Sequence, residues 1–247
     1  MTPTPAPTLV LLHGGGTDHR CWAPLLPHLP RRLRVLTPDM PGHGDRPAPR
    51  RSTAECVAET LAPELRDAVG GAPFALLGHS FGGMVAMVLA AGPLPPARLI
   101  LADTFSKPAD TPVNWLRIVA MGAGAAAVGH ERATRVVLRD WDIGTEGADA
   151  QVRASMLHEH AMTLPRLMRA VRRFDGRPYL PRIACPTLCL MAGGNPATDG
   201  AGERMARRLP DARVEVMPRA GHMQMRDDPV GMAAAIARFL DGWPAAR

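Results

Sequence analysis

The sequence predicts an α/β fold, a mostly parallel sheet of about six strands flanked by helices, with a helical segment inserted ahead of the last two strands. Three observations predict it. Short apolar runs such as Thr8-Leu9-Val10-Leu11-Leu12 read as strands buried on both faces. These runs alternate with stretches of helical periodicity, an order that calls for a parallel sheet with right-handed crossovers. The stretch 104–182, by contrast, is helical in pattern and contains no strand-turn-helix unit. At 247 residues and 46% hydrophobic content, the chain has ample material for one large core.

The first strand, 8–12, ends in His13-Gly14-Gly15-Gly16. Consecutive glycines after a strand let the backbone curl and turn its N–H groups into a cleft, which is half of an oxyanion hole. The alternatives are a flexible turn or a phosphate loop, but neither G-x-x-x-x-G-K-[ST] nor G-x-G-x-x-G is present. A short helix is expected near Cys21-Trp22. A second strand, 34–39, runs into Met40-Pro41-Gly42-His43-Gly44-Asp45, a loop at the same sheet edge. Ser52 is expected to cap a helix over 53–69, with Glu55 completing a capping box and Pro63 kinking or splitting the helix.

Next comes Phe74-Ala75-Leu76-Leu77-Gly78-His79-Ser80-Phe81-Gly82-Gly83, a buried strand leading into G-x-S-x-G and then an apolar helix closed by Gly92-Pro93. A strand that turns directly into a helix leaves little room at the turn. Gly78 and Gly82 remove the side chains that would collide with the neighbouring elements. Ser80 is then held in a strained conformation with its hydroxyl at the sheet mouth, a nucleophile elbow. A strand over 98–102 delivers Asp103 to the same edge.

The inserted stretch carries Trp115, Met121, Trp141, Met156, Met162, Met168 and Phe174 and is expected to cap that edge, with its apolar side chains lining a pocket or packing the cap's own core. Trp22, Trp115 and Trp141 are the candidate pocket walls. His158 and His160 have no accompanying carboxylate or cysteine set and read as surface histidines, so no metal site is expected. The alternation then resumes with a strand over 186–192, the loop Gly193-Gly194-Asn195-Pro196-Ala197-Thr198-Asp199, a helix over 201–209 and a last strand, 213–217. The loop Pro218-Arg219-Ala220-Gly221-His222-Met223 and a helix over 229–240 complete the chain. The core thus comprises 1–103 and 183–247, and the cap 104–182.

Composition narrows the function classes. The net charge is +6, yet the cations are scattered arginines (Lys107 is the only lysine) and aromatics are only 4%, so a solvated basic surface is favoured over nucleic-acid binding. The four cysteines, Cys21, Cys56, Cys185 and Cys189, form no C-x-x-C pair and read as reduced. The segment 1–7 has neither a basic region nor a long apolar run, so it is not expected to be a signal peptide, and nothing elsewhere approaches a membrane span. A cytoplasmic protein, monomer or homodimer, with no membrane partner is expected.

Taken in order, His13-Gly14-Gly15-Gly16, Asp39-Met40-Pro41-Gly42-His43-Gly44, Gly78-His79-Ser80-Phe81-Gly82 and Ala220-Gly221-His222 resemble the α/β-hydrolase superfamily across nearly the whole chain. The likeness is greatest to its small cap-bearing branch of esterases, enol-lactone hydrolases and related lyases. Two departures stand out. The usual antiparallel hairpin before the first strand is missing. Asn195 also stands where relatives commonly place the triad aspartate. An amide cannot stabilise an imidazolium by charge. The acid is therefore sought elsewhere, with Asp103 first, and Asp199 or Asn195 itself as alternatives. The resemblance implies a serine hydrolase acting on an ester, lactone or thioester of a small, largely apolar molecule. Ser80 would be the nucleophile, His222 the base, and the N–H groups of Phe81 and Gly15 the oxyanion hole, with no cofactor. His79 and His13 are expected to pack and to order loops. A lyase or cyclase using the same Ser80–His222 pair, and a degenerate ligand-binding protein, are the other classes.

Overall fold

The computed structural model describes residues 6–243; the segment read as no signal peptide lies, through its fifth residue, outside them. Six strands form one all-parallel sheet: β1 (Thr8–Leu12), β2 (Arg34–Leu36), β3 (Phe74–His79), β4 (Arg98–Ala102), β5 (Thr187–Ala192) and β6 (Ala212–Met217), in the order β2-β1-β3-β4-β5-β6. The central strands β1, β3 and β5 are buried along their whole length, which explains their unbroken apolar runs. The edge strand β2 pairs for only three residues, shorter than its apolar pattern suggests. Pro38 has no N–H to continue the ladder.

Helices cover both faces. On one lie α1 (Ala54–Val69), α2 (Phe81–Ala90) and α7 (Ala201–Ala206); on the other, α9 (Pro229–Phe239) packs with Trp22 and Met225, the latter from the short α8 (Gln224–Asp227). Two expectations about α1 are corrected. Its cap is Thr53, whose Oγ1 accepts from the Cys56 N–H at 3.2 Å. Ser52 therefore stands outside the helix and Glu55 sits one position too early for a capping box. Pro63 does not split the helix either. A continuous buried face (Val57, Ala58, Leu61, Ala62, Leu65, Val69) packs into the core and outweighs the one backbone bond that proline removes.

Between β4 and β5 the chain forms α3 (Pro112–Val128), α4 (His130–Asp140), α5 (Gly147–Leu157) and α6 (Leu164–Arg173), and no strand. This segment touches the loops at the C-terminal edge of the sheet. A Cβ on Gly15 would run into the Leu167 side chain, the Met162 N–H donates to the Gly42 carbonyl at 2.7 Å, and the Asp18 N–H donates to the Ser155 hydroxyl at 2.6 Å. His160, expected at the surface, is buried. Its Nδ1 accepts from the Gly44 N–H and its Nε2 donates to the Ser155 carbonyl, so its two ring nitrogens tie the inserted segment to the core loop. His158 remains partly exposed, 3.4 Å from Asp45.

Candidate active site

The nucleophile candidate stands at the junction of β3 and α2. Ser80 adopts φ 53°, ψ −119°, a region non-glycine residues rarely enter, and is held there from both sides. Its N–H donates to the Ala102 carbonyl at 3.0 Å, continuing the β3–β4 ladder by one residue, and its carbonyl accepts from the Thr104 hydroxyl at 2.7 Å. The flanking glycines are sterically required. A Cβ on Gly78 would lie 2.7 Å from the Gly83 Cα, and one on Gly82 would collide with the Leu12 and His13 carbonyls. The strand-to-helix turn closes only because neither has a side chain.

His222 follows β6 on a loop fastened at several points. The Gly194 N–H donates to the Ala220 carbonyl and the Gly221 N–H to Asp227. The His222 carbonyl accepts from His79 Nε2 at 2.7 Å. His79 is fully buried, and burial drives its pKa down to about 3, with the facing His222 ring adding to the effect, so it is a neutral donor. It therefore does more than pack: it fixes the backbone of His222. The imidazole of His222 places Nε2 3.1 Å from Ser80 Oγ and Nδ1 2.6 Å from Asp103 Oδ2.

Asp103 extends β4 by one residue and is the chain's second strained position, at φ 41°. Its N–H donates to the Leu190 carbonyl, so a β4–β5 hydrogen bond aims the carboxylate across the end of β5. Four donors converge on it. Oδ1 accepts from the Ala192 N–H (3.1 Å) and the Thr198 hydroxyl (2.6 Å), and Oδ2 from His222 Nδ1 and Asn195 Nδ2 (2.6 Å each). Burial alone would raise its pKa. The hydrogen bond and charge of His222, with the bonds from Thr198 and Asn195, outweigh that and hold the carboxyl below the usual range. Asp199 is exposed and makes no hydrogen bond to this cluster. The Asn195 amide touches Asp103.

The structure thus brings Ser80, His222 and Asp103 into one hydrogen-bonded chain. Phe81 opens α2, where its N–H has no intrahelical acceptor, and Gly15 lies in the loop after β1 beneath Leu167. Of the three tryptophans expected as pocket walls, Trp141 lies edge-on to His222, with ring centroids 5.8 Å apart. Trp22 is fully buried behind His79, a core residue rather than a pocket wall. Trp115 is 44% exposed on α3 beneath the Arg172 guanidinium, and Met121 is also on the solvent side, because α3 forms the outer layer of the inserted segment. His13 orders its loop as expected: its Nε2 accepts from the Met40 N–H.

Thr198 and Thr104 were not evident as site residues, and Asn195 was evident only as an alternative to Asp103, not as its hydrogen-bond partner. The Asn-Pro-x-Thr spacing was the available signal. Asn195 turns the chain through its bond from the Ala197 N–H, and that turn brings Thr198 back under Asp103. Among the described residues, the one group with metal-ligand spacing is Asp18, His19 and Asp39. There Asp18 is engaged by the Arg20 guanidinium at 2.5 Å, and Asp39 hydrogen-bonds the His19 backbone N–H and ring. A cation already sits against it.

A model of the alpha/beta hydrolase family matches residues 9–235. A pimeloyl-[acyl-carrier protein] methyl ester esterase of Aromatoleum aromaticum is 31% identical over 255 residues, covering 96% of this chain and 99% of that protein. Among solved structures, an enol-lactonase from Burkholderia xenovorans LB400 aligns with a TM-score of 0.81 at 25% identity, covering 97% of this chain and 93% of that one. A thermophilic esterase from Thermogutta terrifontis gives 0.77 at 25% identity, with coverage of 95% and 89%.

Proposed function

This chain belongs to the alpha/beta hydrolase family, and from that premise we propose that it is a carboxylic-ester hydrolase working through a Ser80–His222–Asp103 triad. The observation that carries the reading is the unbroken chain Ser80 Oγ to His222 Nε2 to Asp103 Oδ2, at 3.1 and 2.6 Å, beginning at a strained elbow serine. Names borne by relatives, a methyl ester esterase and an enol-lactonase, support an ester or lactone as the substrate.

The chemistry follows from the geometry. His222 Nε2 takes the proton of Ser80 Oγ as the oxygen attacks the acyl carbon, and Asp103 stabilises the imidazolium that forms. The oxyanion is held by the N–H groups of Phe81 and Gly15. As the tetrahedral intermediate collapses, the Nε2 proton passes to the departing alkoxide. Water, deprotonated by the same nitrogen, then cleaves the acyl-enzyme and releases the acid. A neutral His79 beside His222 adds no competing charge.

Residues 104–182 form a cap, and its contacts with Gly15 through Leu167 and with His222 through Trp141 support that role. Both side chains are apolar, so the acyl or alcohol part beneath them is apolar too. Among the described residues no helix is long and apolar enough to cross a membrane. Four free cysteines suit a reducing compartment, which favours the cytoplasm. The test is hydrolysis of a panel of p-nitrophenyl esters, lactones and thioesters. Turnover of at least one class, lost in Ser80→Ala, is expected; a panel on which wild type never exceeds Ser80→Ala overturns the reading.

A further inference from the structure

We propose that the outer face of the inserted helical segment, α3 together with the arginine-bearing flank of α6, is a docking surface for an anionic lipid bilayer. The inference uses no residue of the Ser80–His222–Asp103 chain and stands apart from the ester-hydrolase reading.

The 17 residues of α3 carry one charge, Arg117, and no carboxylate. A helix this apolar is expected to be buried on all sides. Yet Gly122 and Ala125 are its only buried residues. A Cβ on Gly122 would meet Met168, so these small residues form the seam along which α3 lies on α6. The large side chains stay outside: Val113, Leu116, Met121 and Val128 are 49% to 61% exposed. They are spread along a helix about 25 Å long. Apolar exposure of that extent marks an interaction site rather than ordinary surface.

The neighbouring helix supplies charge. α6 holds four arginines and no acid. Arg166, Arg169 and Arg173 fall at i, i+3 and i+7 and so share one flank. With Arg51, Ser52 and Thr53 they line a cleft of about 250 Å³. Its walls offer guanidinium forks and hydroxyls to a phosphate headgroup, and no carboxylate. Among the described residues none of these arginines pairs with an acid. Arg172, the fourth arginine of α6, lies 5.6 Å from the Trp115 ring centroid. An indole beside a guanidinium suits the boundary between acyl chains and charged headgroups.

Charge also decides what covers this face. A second copy packed about a twofold axis would set five guanidinium groups of α3 and α6 against five more, with no acid on either helix to meet them. An anionic bilayer satisfies both features at once. Its phosphates complement the arginines, and its acyl boundary takes up Val113, Leu116 and Met121. The helix lies in the headgroup plane without crossing it, in keeping with the lack of any described helix long and apolar enough to span a membrane.

The experiment is co-sedimentation of the full chain with vesicles of phosphatidylcholine alone, or of phosphatidylcholine and phosphatidylglycerol in a two-to-one ratio. Wild type should bind the mixed vesicles, more weakly as salt is raised, and should not bind the neutral ones. Val113→Ser/Leu116→Ser should bind at least about tenfold more weakly and Arg169→Gln/Arg173→Gln at least about twentyfold, with thermal melts unchanged. Absence of binding to the mixed vesicles, or binding that either double variant leaves intact, overturns the proposal. So does a wild-type dimer in light scattering that Val113→Ser/Leu116→Ser splits, because a second copy then covers α3. Poly-glutamate that binds wild type as tightly as the mixed vesicles do, and binds Val113→Ser/Leu116→Ser equally well, overturns it in favour of an acidic protein partner. Each of these results leaves the triad untouched.

Discussion

Lowering the pH from 7 to 5 should destabilise this protein through its buried histidines before its carboxylates are protonated. His79 and His160 are 2% and 6% exposed, and burial lowers their pKa values from 6.5 to about 3 and about 4. His222 and His13 ease His79 further down while Asp103 opposes; for His160, His158 and His13 lower and Asp18 opposes. A histidine whose folded pKa lies below its unfolded value contributes stability that is complete above pH 6.5 and drains away as pH falls toward the folded value. At pH 5 both remain neutral when folded and are largely protonated when unfolded. Each then costs about 1.4 kcal/mol per pH unit over 1.5 units, together about 4 kcal/mol. For a domain this size that lowers Tm by roughly 10 °C. His13 and His43, also shifted down by burial, act in the same direction. Circular-dichroism melts at pH 7, 6 and 5 measure the effect. In His160→Gln, whose amide can accept from Gly44 and donate to Ser155, the pH-dependent loss should shrink by about 2 kcal/mol. A Tm that stays flat from pH 7 to 5, or is unaltered in slope by His160→Gln, refutes the reasoning.

Three further outcomes follow from the same contacts. Gly82→Ala would drive a Cβ into the backbone of β1, so it should cost about 4 kcal/mol or more, read as a Tm lower by about 10 °C, with esterase activity lost. Thr198→Val removes one of two donors to Asp103 Oδ1 while keeping the side-chain volume; kcat should fall about tenfold with KM unchanged in steady-state assays. His79→Phe keeps the packing but removes the bond to the His222 carbonyl, and kcat should fall about tenfold with the fold intact by circular dichroism.

The parts legible in the sequence are those whose cause is local. Continuous apolar runs gave β1, β3, β4 and β5 almost to the residue, because a strand buried on both faces has no other pattern available. The elbow was legible because Gly78 and Gly82 are demanded by close approach within a few residues. What could not be read depended on distant partners. His160 reads as a surface residue until Gly44 and Ser155 are seen on either side of it. Trp22 and Trp115 look alike as candidate pocket walls, but one lies in the core behind His79 and the other on the outer face of α3. The position of Asp103 was legible from the strand end. That Asp103 and not Asp199 meets His222 could not be read from the sequence, since it depends on Thr198 turning inward under Asp103 and its neighbour outward.

The most direct test of the triad is reaction with a fluorophosphonate followed by intact-protein and peptide mass spectrometry. The account predicts one phosphonyl adduct per chain, carried on Ser80, absent in Ser80→Ala and formed far more slowly in His222→Ala and Asp103→Asn. A folded wild type that forms no adduct, or an adduct that persists in Ser80→Ala, would contradict it.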